Sequence, residues 1–204
     1  MNNWPLIKIA DFTNVLTGGT PSTRKTEYWA GGHIPWINSG ALNNKEVVET
    51  DKFITEEGLK NSAAKLMPAE TVLIALTGTT TGQSSILRFE ASANQSVTGI
   101  LPSENHNSKY LLYYLKSIRQ KIKSVSWGGA QKHINQQFVK DLKVPLPPLK
   151  LQDRIVRFLD KADTLREKRK ESIKLLDEFL RSTFLEMFGD PVLNSKNIPI
   201  EKLD

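Results

Sequence analysis

A chain of 204 residues, 39% hydrophobic and 8% aromatic, suits one globular domain with an appendage, or two small domains. It contains no cysteine, which excludes disulfides and thiolate metal sites, and no apolar run approaches the roughly 20 residues of a membrane helix. Its net charge of +6 is unevenly placed: residues 1–150 hold 17 Lys and Arg against 11 Asp and Glu, while residues 151–204 hold 11 of each.

The N-terminus, Met1-Asn2-Asn3-Trp4-Pro5, lacks the basic-then-apolar pattern of a signal peptide, which fits a cytoplasmic protein. Trp4–Ile9 has strand-like alternation, and Thr17-Gly18-Gly19-Thr20-Pro21-Ser22 is a strong turn signal. Ile34–Ile37 reads as a short strand entering the loop Asn38-Ser39-Gly40. Thr55–Asn61 reads as a helical turn capped by Thr55. The continuous apolar run Thr71–Leu76 predicts a buried strand feeding a loop of small residues, Thr77–Gln83. Ser85–Phe89 and Ser96–Leu101 are further strands.

Ser108–Lys123 predicts one amphipathic helix, with Leu111, Tyr114, Leu115, Ile118 and Ile122 facing the core. Lys109, Lys116, Arg119 and Lys123 line its other side. These four belong to a basic stretch, Lys109–Lys143, in which eight Lys and Arg stand against Asp141 alone. A field of that sign favours a polyanion, although a solvated basic face gives the same count. Trp127-Gly128-Gly129-Ala130-Gln131-Lys132-His133 follows as a loop, then a short helix with Ile134, Phe138 and Leu142 on one face. Lys143–Pro147 is extended, as its prolines require.

From Gln152 to Phe188 the sequence predicts one helix about 55 Å long at 1.5 Å per residue. Ile155, Phe158, Ala162, Leu165, Leu176 and Phe179 follow a 3-4 spacing that fails at Arg169 and Ser172; Leu180 belongs to a wider stripe beyond the break. We assign these seven apolar positions to docking on another helix. Gly189-Asp190-Pro191 ends the helix. The expected organisation is a mixed α/β head over 1–149, a long coiled-coil-type helix over 150–190, and a tail over 191–204. In that tail Asn197–Leu203 echoes Asn3–Ile9, as a second repeat would.

The Gly-rich loops lack the Gly-Lys-Ser/Thr ending of a nucleotide-binding P-loop. The three histidines stand apart without Cys or Glu at ligand spacing, and no nucleophile elbow is present. We therefore expect neither a metal nor catalysis. The loops instead bring short hydroxyls, cations and an amide to a surface. Such groups position phosphates and read base edges, although ordinary turn chemistry uses the same residues. The candidate nucleic-acid contacts, which the resemblance given next makes DNA contacts, are Thr20, Ser22, Thr23, Arg24, Lys25, Ser39, Thr79, Thr80, Gln131, Lys132 and His133.

Taken in order, Trp4, Gly18–Ser22, Tyr28-Trp29, Ile34-Pro35-Trp36, Ile54–Leu59, Gly78–Gly82, Asn94-Gln95, Gly128–Lys132, Pro145–Leu149 with Gln152 and Ile155, and Phe188–Pro191 make the chain resemble the specificity subunits of type I restriction-modification systems. The resemblance implies a target-recognition domain of mixed α/β structure followed by a spacer helix, reading one half of a split site on double-stranded DNA. It further implies methyltransferase partners that carry S-adenosylmethionine chemistry, with none in this chain, and a restriction or translocase subunit that can join. Family members normally have two heads; this chain has one. It is then either a half-subunit that pairs as a homodimer through the long helix, or the first half of a longer subunit. The competing reading is an assembly adaptor with a helical rod and a protein- or RNA-binding head.

Overall fold

The computed structural model describes residues 4–127 and 134–199. The chain divides into two compact units, Met1–Val156 and Arg157–Asp204.

The first unit is built on a five-stranded sheet. It contains β2 (Val15–Thr17), β4 (Glu46–Val47), β6 (Val72–Ala75), β7 (Ser84–Leu87) and β9 (Val97–Ile100) in the order β2-β9-β6-β7-β4. β6 runs antiparallel to both β9 and β7. It alternates between two cores: Val72 and Ile74 join one cluster and Leu73 and Ala75 the other. With both faces covered, this strand has no polar side, which is why it reads as an unbroken apolar run. The first core is completed by α1 (Ile9–Phe12), α3 (Ser108–Ser117), α4 (Arg119–Trp127) and α5 (Gln136–Asp141).

Two small sheets flank this layer. β1 (Leu6–Lys8) pairs with β10 (Lys143–Pro145), tying the chain start to the segment before the long helix. β3 (Ile34–Ile37) lies between β5 (Phe53–Ile54) and β8 (Ser92–Ala93). The short helix α2 (Glu56–Lys60) is capped by Thr55 as expected, its Oγ1 accepting from Gly58 N at 3.1 Å.

Several elements differ from expectation. The Ser108–Lys123 helix is two helices separated at Ile118, with no Pro or Gly to mark the break. Ser117 Oγ donates to the Tyr114 carbonyl at 2.7 Å and so competes for a helical acceptor. Ile122, 1% exposed, reaches the core from the second helix, on the face expected of it. In α5 the fully buried side chain is Val139, while Ile134 and Leu142 lie just outside the helix and also pack on the core. The strand expected over Trp4–Ile9 is Leu6–Lys8, because Ile9 already opens α1.

The long helix, α6, runs from Leu149 to Phe188, starting three residues earlier than expected; its 40 residues make about 60 Å. Its first turns belong to the first unit. Gln152, fully buried, anchors them: Nε2 donates to the Pro147 carbonyl at 2.8 Å and the Asn105 carbonyl at 3.2 Å, and Oε1 accepts from Asn107 N at 2.8 Å. Ile155 and Val156 pack against the first core, so Ile155, grouped above with the docking positions, also serves its own unit. Phe158, Ala162, Leu165, Leu176, Phe179 and Leu180 are all exposed.

Candidate nucleic-acid interface

Antiparallel pairing sends the chain out of β2 and β6, and into β7 and β9, at the same end of the central sheet. Three loops therefore meet there: Gly18–Lys25, Thr77–Gln83 and Asn94–Ser96. A fourth joins because Asn94 N donates to the Ile37 carbonyl at 2.9 Å, which places the Asn38–Asn43 turn beside them. The turn at Ser39–Asn43 packs on the turn at Gly78–Thr80. Thr20, Ser39, Thr79 and Thr80, far apart in sequence, are thus brought to one end of one sheet.

Backbone bonds fix the loops to one another. Gly18 N donates to Val97 O at 3.0 Å, Gly19 N to Ala93 O at 2.7 Å, and Leu76 N to Ser96 O at 2.8 Å. The glycine pair is required by close approach. A Cβ on Gly18 would lie 2.2 Å from the Ala93 carbonyl oxygen, and one on Gly19 would lie 2.3 Å from the Ala63 carbonyl carbon. Thr20 Oγ1 donates to Gln95 Oε1 at 2.5 Å, joining the first loop to the third.

Two tryptophans hold the first loop from below. Trp36 Nε1 donates to Gly19 O at 3.1 Å and Trp29 Nε1 to Ser22 O at 3.2 Å, and the rings meet edge-on with centroids 5.2 Å apart. Beside them lies a cleft of about 700 Å³, lined among others by Thr20, Thr23, Thr26, Trp29, Trp36 and Phe53. Hydroxyls over aromatic faces can take a base edge or a sugar.

Ser22, Thr23, Arg24 and Lys25 are exposed. Lys25 is not freely presented. Its Nζ donates to Tyr28 OH at 2.9 Å, and this bond holds its ammonium above the ordinary lysine range, so it stays charged. Thr79 is exposed and Thr80 half-buried, its Oγ1 turned back to the Thr77 carbonyl at 3.1 Å. Gln131, Lys132 and His133 lie outside the described residues.

Several other charged and titratable side chains of this unit are paired within the fold. Arg88 clips Glu46 on β4 to Glu70 ahead of β6, and the bond to Arg88 lowers the Glu46 carboxyl. His33 pairs with Glu56 at 3.3 Å. His106 is buried and shares a 2.9 Å hydrogen bond with Ser103 Oγ; burial pushes its pKa down to about 4. Among the described residues no group of three or more His, Asp or Glu is placed to hold a metal ion.

Sequence reasoning met the site's supports, Trp29, Trp36 and Gln95, only as part of the resemblance and gave them no place in the site. The amphipathic pattern puts Arg119 on the outer side of a single helix, but the break at Ile118 makes it the first residue of α4.

The sequence profile of the type I restriction modification DNA specificity domain matches residues 1–175. The chain belongs to this family. Its relatives include the EcoR124I/EcoR124II specificity subunit of Escherichia coli, 33% identical over 72% of this chain and 38% of that protein. The MjaIX specificity subunit of Methanocaldococcus jannaschii is 29% identical over 99% of this chain and 48% of that protein. This specificity-family chain spans less than half the length of those relatives. Its fold is also found in solved structures. The HsdS subunit from Thermoanaerobacter tengcongensis matches with a TM-score of 0.66 at 18% identity, over 84% of this chain and 40% of that one. A chain from a study of complex assembly and conformational transition of the type I R-M system matches with a TM-score of 0.72 at 18% identity, over 90% of this chain and 44% of that one. No helix among the described residues is long and apolar enough to cross a membrane.

Proposed function

We propose that this chain is a non-catalytic recognition unit of a cytoplasmic type I restriction-modification complex, which reads one half of a bipartite site on double-stranded DNA and docks methyltransferase subunits. The observation that carries the reading is the gathering of the polar loops Gly18–Lys25, Asn38–Asn43, Thr77–Gln83 and Asn94–Ser96 at one end of the sheet in a chain of the specificity family. Strands beneath surface loops let a few side chains be exchanged without rebuilding the core, as a variable reader needs. S-adenosylmethionine chemistry belongs to the methyltransferase partners in this reading, and a restriction or translocase subunit joins the same assembly.

The exposed apolar positions of α6 pair, on this proposal, with the equivalent helix of a second head, in another copy of the chain or in a continuing one. Nothing in the geometry favours the adaptor reading.

The test is selection from a random duplex pool, with methyltransferase subunits present. Enrichment of a short motif is expected. In the same assay Arg24→Ala should weaken duplex binding and reduce the magnitude of its log–log salt slope by about 0.9. A pool that enriches no motif would refute the recognition role; an unchanged Arg24→Ala slope would remove the first loop from the interface.

A further inference from the structure

A second, smaller cleft opens where the Asn38–Asn43 turn, the start of β7 and the α3–α4 junction meet. It is about 280 Å³, and its polar lining is Asn43, Asn44, Gln83, Ser84, Lys116 and Arg119. Two of these residues carry buried polar atoms that have no hydrogen-bond partner among the described residues: Arg119 Nε and Gln83 Oε1. Buried donors and acceptors are almost always paired, so two residues of one small cleft that each carry an unpaired polar atom single out this place for another molecule.

The lining fixes the chemistry of that molecule. It offers two cations, side-chain amides and a hydroxyl, and it includes no carboxylate. Such a set is rich in donors and positive, which suits an oxyanion. Gln83 joins the donors when its amide turns to offer the NH2 group in place of Oε1. Gly82, whose φ is +74°, comes close to Arg119: a Cβ there would lie 3.3 Å from Arg119 Cγ and 3.2 Å from Ile122 Cγ2. The Thr77–Gln83 loop thus rests on the first turn of α4. β7 begins at the end of the sheet where the candidate loops gather, so the cleft borders that surface.

We infer that the Arg119 cleft is a phosphate-binding site that seats one phosphodiester of the DNA backbone and sets the register of the loops beside it. This rests on the DNA-recognition reading above and assigns it a residue and a ligand chemistry that the sequence pattern leaves open between a polyanion contact and a solvated basic face.

The test uses the full chain assembled with methyltransferase subunits, on its selected duplex and on a scrambled duplex. Arg119→Gln should weaken both about tenfold, leave their ratio unchanged, and reduce the magnitude of the salt slope by about 0.9. Arg119→Lys, which keeps the charge, should restore most of that slope. An unchanged slope in Arg119→Gln overturns the inference. A loss confined to the selected duplex also overturns it, since that assigns Arg119 to a base. If Lys behaves as Gln does, the guanidinium is structural and the inference falls. Titration with inorganic phosphate, followed at the Arg119 Nε–H resonance, separates the two sources of oxyanion. Displacement of phosphate by duplex supports a backbone contact, and phosphate that persists at saturating duplex overturns it. All of these outcomes differ from failure of the recognition reading, in which the unaltered assembly itself shows no duplex preference.

Discussion

Leu73 and Leu176 are the same residue in two different situations. Leu73, in β6, is fully buried, while Leu176, in α6, is 59% exposed. The contrast extends to whole segments. In Met1–Val156 the apolar residues of the strands and helices close two layers over a sheet. In Arg157–Phe188 the apolar residues Phe158, Leu165, Ile173, Phe179 and Leu180 are all more than half exposed. So many exposed apolar residues along one helix, even with the break at Arg169 and Ser172, are unusual on a self-sufficient surface and are typical of a helix that shares its hydrophobic burial with another polypeptide. The first unit obtains its stability from its own chain, and on the proposal above the helix draws part of its own from a partner helix.

The largest expected effect tests the buried side. Leu73→Ala should cost about 2–5 kcal/mol in urea unfolding, by lost transfer energy and a cavity between two packed layers. Leu176→Ala in the isolated chain should stay within about 0.5 kcal/mol. Equal costs at the two positions would erase the comparison.

The next effect concerns pH. His106 has a folded pKa of about 4, below the ordinary 6.5, because burial disfavours its charged form. The unfolded chain therefore binds the extra proton between these values. The stability from keeping His106 neutral is fully present above pH 6.5 and is lost as pH falls from 6.5 toward 4, by on the order of 3 kcal/mol. Ser103 Oγ also lies 3.0 Å from the Phe12 carbonyl, its acceptor, so the imidazole donates from Nδ1–H to Ser103. His106→Gln should flatten this limb of the stability–pH curve. A curve as steep as that of the unaltered chain would place the titrating group elsewhere.

The smallest effect on the first unit's stability should come from Phe158→Asp with Leu165→Asp. Both positions are exposed, so the urea midpoint of the isolated chain should barely move. Sedimentation should nevertheless show loss of self-association, or of stabilisation by a partner. Identical sedimentation before and after the change, with partners present, would remove the docking role from this stripe.

Much of this molecule is legible in its sequence because some physical signals are local. The run Thr71–Leu76 announces a strand buried on both faces, since no polar residue interrupts it. Thr55 announces a helix cap, because a hydroxyl three residues before a free amide satisfies it wherever the helix lies. The 3-4 spacing through Phe158 and Leu165, with Gly189 and Pro191 beyond, announces the long helix and its stop. The two-residue strands at Glu46, Phe53 and Ser92 are not legible, because two residues carry no period.

The division at Ile118 carries no Pro or Gly to announce it, and it arises only once the chain is folded. The same is true of the site. The sequence by itself determined which loops carry hydroxyls and cations, and that a mixed α/β head precedes a helix with an unsatisfied apolar stripe. Only the tertiary structure decided that Thr20, Ser39, Thr79 and Thr80 share one end of a sheet, that Lys25 leans on Tyr28, and that Arg119 belongs to a cleft. Strand order and the direction of each chain crossing are set by contacts between residues far apart in sequence, and no local pattern encodes them.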